Sequence, residues 1–94
     1  MVFIIVIGGF DSEGYKMQLR NLITFIHVAE LGSFTKAAEQ LGYSQSTVSF
    51  QIKQLEEDLE CLLFERINHT ITLTERGHEL VSYAHRIRAL TDEF

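Results

Sequence analysis

Two glycines ten residues apart, each followed closely by a serine, set the limits on what this chain can fold into: Gly32-Ser33 and Gly42-Tyr43-Ser44. Glycine stops a helix well, and serine caps the start of the next. The punctuation therefore divides the region into three helical stretches, about Gln18–Leu31, Phe34–Leu41 and Gln45–Glu60. Each carries an apolar face. Leu19, Leu22, Ile23, Ile26 and Ala29 recur at helical spacing in the first, and Phe34, Ala37, Ala38 and Leu41 in the second. Val48, Ile52, Leu55 and Leu59 form the buried stripe of the third.

Leu62, Leu63 and Phe64 are expected to continue the core. Residues 65–73 read as a β-hairpin, with Asn68-His69 at the turn and Ile71, Thr72 and Leu73 alternating as a strand. Thr74 is placed to cap a last helix running to Phe94, with Glu75 favourable in its first turn. The predicted fold is mainly α: a winged helix-turn-helix over residues 17–74, with a three-helix core and a small hairpin wing. A long linker helix follows over 75–94. Residues 1–16, apolar and then polar, read as an N-terminal extension outside the domain, or as an extra strand pairing with a sheet edge. The apolar run at residues 2–7 is far shorter than the roughly 20 residues of a membrane span. It lacks the basic start and cleavage site of a signal peptide. A cytoplasmic location and no membrane partner are expected. The single cysteine, Cys61, excludes an internal disulfide.

Two helices joined by a short glycine-containing turn form a helix-turn-helix, whose second helix enters the DNA major groove by its N-terminal residues. The third helix begins with short polar side chains, Gln45, Ser46, Thr47 and Ser49. Gln45 suits a bidentate pair with adenine, and the hydroxyls suit bases or phosphates. Phe50 suits a thymine methyl or, equally, packing against the wing. A solvated helix face would show the same polar pattern, but it accounts poorly for an outward phenylalanine. The net charge of −5 and pI near 5.2 weigh against nucleic acid when taken alone. The acids are displaced, however: Glu56, Glu57, Asp58 and Glu60 crowd the far end of the third helix. At about 1.5 Å per residue, Glu57 stands roughly 16 Å beyond Ser46. Lys36, Lys53 and Arg66 remain as candidate phosphate contacts.

In the last helix, Leu80, Tyr83, Ile87, Leu90 and Phe94 alternate by three and four, the seam of a coiled coil. They predict a homodimer presenting two reading helices to two half-sites, with packing on the chain's own domain as the alternative. Nothing points to an enzyme. There is no glycine-rich phosphate loop, no paired-carboxylate pocket and no nucleophile beside a base. His27, His69, His78 and His85 are scattered, and His78 and His85 stand too far apart to share a metal on a straight helix. No metal or cofactor is expected.

These residues resemble the LysR-type transcriptional regulators from Met17 to Phe94. The run is Leu22-x-x-Phe25-x-x-Val28, then Gly32-Ser33-Phe34-Thr35-x-Ala37-Ala38-x-x-Leu41. It continues as Ser44-Gln45-Ser46-x-Val48-Ser49-x-x-Ile52-x-x-Leu55-Glu56-x-x-Leu59, then Leu63-Phe64-x-Arg66 and Leu73-Thr74-x-x-Gly77. The resemblance implies a dimer through the linker helix, commonly assembled into tetramers, binding double-stranded promoter DNA to activate or repress transcription. It implies phosphate contacts at Thr35 and Arg66, with Gln45, Ser46, Thr47 and Ser49 in the groove. A downstream domain, absent from this chain, would sense a small-molecule effector. Three departures stand out: that missing domain, Cys61 where the family usually carries a glycine that would allow a left-handed helix end, and a wing tip, Ile67-Asn68-His69-Thr70, without basic residues. Cys61 itself reads as a buried structural thiol, with a redox role as the alternative. The rival reading is a protein-interaction module that dimerises without productive DNA binding.

Overall fold

The computed structural model describes residues 17–93. The elements follow as α1 (Leu19–Leu31), α2 (Phe34–Leu41), α3 (Gln45–Leu59), β1 (Phe64–Ile67), β2 (Thr70–Leu73) and α4 (Glu75–Glu93). This is the expected winged helix-turn-helix followed by a long helix. The extension at residues 1–16 and Phe94, the last residue of the expected seam, lie outside the described residues.

The punctuation works as the sequence implies. Gly32 and Gly42 sit in the left-handed region, φ 65° and 76°, and return their N–H groups to Val28 and Ala38. Ser33 Oγ accepts from the Lys36 N–H and Ser44 Oγ from the Thr47 N–H, both at 3.1 Å. Thr74 Oγ1 accepts from the Gly77 N–H at 3.0 Å. Three of the donors left free at helix starts are thus satisfied by the expected residues.

The end of α3 differs from expectation. The left-handed residue is Glu60, with φ 57° and ψ 42°, not Cys61. The Glu60 N–H bonds Glu57 O, and the Cys61 N–H reaches back to Glu56 O at 3.1 Å, closing a Schellman turn. A glycine would therefore relieve strain one residue earlier than the sequence suggested.

The core joins Leu22, Phe25, Ile26 and Val28 of α1 to Ala37, Ala38, Val48, Ile52, Leu55, Leu63 and Ala84. On α1 the buried face is turned from the expected one. Leu19 is exposed and Ile23 and Ala29 are half-buried, while Asn21, Thr24, Phe25 and Val28 are inside. The cause is that α2, α3 and α4 all pack on α1, so it is covered over much of its girth. Leu62, expected in the core, is 65% exposed. The chain is extended there, so neighbouring side chains point opposite ways and Leu63 takes the inner place.

In the hairpin, Phe64 pairs with Leu73 and Ile67 with Thr70 across the two-residue turn Asn68-His69. Both turn residues have positive φ, 52° and 65°, as the tightest hairpin turns require. The root of the hairpin is tied on two sides. The Glu56 carboxylate accepts from the Leu63 N–H at 2.8 Å. Thr74 donates its hydroxyl to Leu62 O at 2.7 Å and its N–H to Leu63 O at 3.0 Å. A Cβ at Gly77 would press on the Leu63 carbonyl and stand 2.9 Å from Leu73 Cδ2, so glycine is what lets α4 lie against this root.

Candidate nucleic-acid interface

The Ser44 cap organises the first turn of α3. Its hydroxyl lies 3.1 Å from Ser46 Oγ and 2.9 Å from Thr47 Oγ1. Gln45 and Ser46 are exposed, Thr47 and Ser49 half-buried, and Phe50 and Lys53 exposed, while Val48, Ile52 and Leu55 are buried. The short polar residues thus stand on a rigid helix whose other face is locked in the core.

The wing and the start of α2 meet this end of α3. Thr35, Gln45 and Arg66 line one shallow hollow of about 180 Å³ with Ser33, Phe34 and His69. The Arg66 guanidinium lies 5.1 Å from the centre of the Phe34 ring, a cation–π contact. Phe34 meets Phe64 edge-on at 5.8 Å, and Phe64 meets the fully buried Phe25 at 5.4 Å. An exposed cation is thereby anchored through a chain of contacting rings to the core. Lys36 is exposed on α2.

On the other flank of α3, a cleft of about 350 Å³ is lined by Gln18, Arg20, Asn21, Thr47, Phe50, Gln51 and Gln54. Phe50, 63% exposed, therefore leans toward the start of α1, whose Gln18 and Arg20 share this cleft with it. Arg20, exposed here, is absent from the residues singled out by sequence. Its position depends on how α1 crosses α3, which periodicity does not encode. Two polar bonds between these helices also escape sequence reading. Thr24 Oγ1 donates to Gln51 Oε1 at 2.6 Å, and Asn21 Nδ2 to Gln54 Oε1 at 2.9 Å. Glu57 lies beside Lys53 in a neighbouring hollow.

The seam expected on α4 is divided. Gly77 and Ala84 are buried, Leu80 and Ile87 half-buried against the domain, and Tyr83 and Leu90 exposed at 57% and 65%. Cys61 is a half-buried free thiol, not a fully buried one, in a hollow with Leu59, Leu63, Arg76, Leu80 and Tyr83. A hydrogen bond to Cys61 and the charge of Glu79 raise the Arg76 pKa above its ordinary value. His85 Nε2 lies 3.7 Å from a Glu30 carboxylate oxygen, and His78 is exposed. Among the described residues no cluster of three metal-ligating side chains forms, and no helix is long and apolar enough to cross a membrane.

Comparison with known proteins agrees with this architecture. The bacterial regulatory helix-turn-helix proteins of the lysR family match at residues 19–78. The uncharacterized HTH-type transcriptional regulator YwqM of Bacillus subtilis is 51% identical over 77 residues, 82% of this chain and 26% of that protein. The HTH-type transcriptional regulator IlvY of Escherichia coli is 52% identical over 68 residues, 72% of this chain and 23% of that protein. Among solved structures, the BenM DBD bound to catB site 1 DNA has a TM-score of 0.78 and 40% identity, covering 82% of this chain and 86% of that one. The CbnR DBD–DNA complex has the same score and identity, covering 82% and 88%. The chain spans about a quarter of the length of the curated relatives it matches. With its winged fold, its capped α3 and this degree of identity, the chain belongs to the LysR family of bacterial helix-turn-helix regulators.

Proposed function

We propose that this chain is the promoter-reading head of a LysR-type transcriptional regulator, acting on double-stranded DNA in the cytoplasm and carrying no catalytic activity. The observation that carries the reading is one continuous surface: the polar start of α3 flanked by Thr35 and the ring-anchored Arg66. The capture of the BenM and CbnR domains with DNA supports it. Gln45, Ser46, Thr47 and Ser49 enter the major groove, with Phe50 against a thymine methyl. Thr35, Lys36, Lys53 and Arg66 hold phosphates, and Arg20 joins them from α1. Two heads pair as a homodimer along α4 through Leu80, Tyr83, Ile87, Leu90 and Phe94. A small-molecule effector would act through the part of a full-length regulator that lies outside this chain.

Fluorescence anisotropy with duplexes flanking the gene, across a salt series, tests the DNA reading. Saturable binding that weakens with salt is expected, and Ser46→Glu, which puts a carboxylate beside bases and phosphates, should weaken it at least tenfold. A folded dimer that binds no duplex at low salt would leave the interaction-module reading in its place. Sedimentation tests the pairing: Leu90→Glu should shift the chain from dimer to monomer, and an unchanged dimer would remove α4 as the interface.

A further inference from the structure

The α1–α3 interface is polar where a domain this small has most to gain from apolar packing. Asn21 and Thr24 are each 1% exposed and Gln51 is 7% exposed. All three point between the same two helices. Their bonds run Thr24 Oγ1 to Gln51 Oε1 and Asn21 Nδ2 to Gln54 Oε1. Gln51 and Gln54 are one turn apart on α3, so the two bonds fix its face against α1 at two heights. Neutral bonds of this kind add little net stability over well-packed apolar replacements. Their distinctive property is direction. Apolar contacts tolerate a small turn of one helix on another, whereas a hydrogen bond weakens steeply when bent or stretched.

The start of α3 is only a turn or two from these bonds, on the same rigid helix. Side-chain ends ride roughly 5–6 Å from a helix axis, so a rotation of about 10° moves them by about 1 Å. A paired contact to a base edge does not survive such a shift, while a flexible lysine on a phosphate does. We propose that Thr24–Gln51 and Asn21–Gln54 are positioning residues that set the rotation of α3, and with it the ability of Gln45, Ser46 and Ser49 to tell one base from another. This inference rests on the groove reading above.

The test uses the whole chain and a library of duplexes randomised over one site. Bound fractions are sequenced, and affinities for the best-enriched duplex and an unenriched one give a specificity ratio. The double variant Thr24→Val, Gln51→Met removes both polar partners together, so no orphan is left inside. Its melting temperature should stay level or rise and its affinity for the unenriched duplex should hold, while the specificity ratio falls about tenfold. Thr24→Ser, which keeps the hydroxyl, should retain the ratio. Asn21→Leu with Gln54→Met repeats the experiment on the second pair should the first variant not fold. A folded double variant with an unchanged ratio overturns the proposal while the groove reading stands. A native chain that enriches no sequence overturns both.

Discussion

Arg66 is a single cation on a short strand, yet its position is fixed by three aromatic rings. Phe34 carries the guanidinium on its face and is held edge-on by Phe64, which in turn meets Phe25. An exposed cation–π contact is worth about 0.5–1 kcal/mol. Phe34→Leu keeps the half-buried side apolar but removes the π face. It should leave melting nearly unchanged and weaken DNA binding two- to fivefold, with no further loss when added to Arg66→Gln. Additive losses in that double-mutant cycle would dissociate the ring from the cation. Sequence alone marked Phe34 as core and Arg66 as a phosphate ligand. Their partnership was not legible, because it depends on the wing folding back over the start of α2.

At the scale of elements, helix starts were legible and helix ends less so. Ser33, Ser44 and Thr74 cap where their chemistry says they should. A cap is a local bond between residues three apart, so the sequence carries all of it. The end of α3 is also local, but Glu60 gives no outward sign that it adopts the left-handed turn. That conformation costs a non-glycine residue about 1 kcal/mol. Glu60→Gly should therefore stabilise the domain by about that much, raising the midpoint of a thermal melt by roughly 4–8 °C. A fall in the midpoint would mean the Glu60 side chain makes a compensating contact. The face of α1 departs from its periodicity for a different reason. Periodicity locates one apolar stripe, whereas α1 is packed by three helices and buries Asn21 and Thr24 as well. A polar pair inside a core is invisible until both helices are in place, and Arg20 escaped notice on the same ground.

For the whole molecule, composition misleads and arrangement informs. A net charge of −5 coexists with Arg20 and Arg66 beside the start of α3, with Lys36 exposed on α2 and Lys53 midway along α3 next to Glu56 and Glu57. The acids Glu56, Glu57, Asp58 and Glu60 gather toward its other end. Each phosphate neutralised contributes about −0.9 to the slope of log affinity against log salt, so four cations predict a slope near −4 per head. Arg20→Gln should flatten it by about one, as read by anisotropy between about 0.05 and 0.2 M salt. An unaltered slope would place Arg20 off the DNA. Only Thr74 separates β2 from α4, and it is bonded to Leu62, Leu63 and Gly77. The wing and the last helix therefore share one stiff joint instead of a tether. In the proposed two-fold pair, such a joint would make the molecule a ruler. With α4 as the proposed seam, the reach between two heads would be a fixed length, and an operator whose halves are moved apart by half a helical turn would seat one head and turn its second half away from the other.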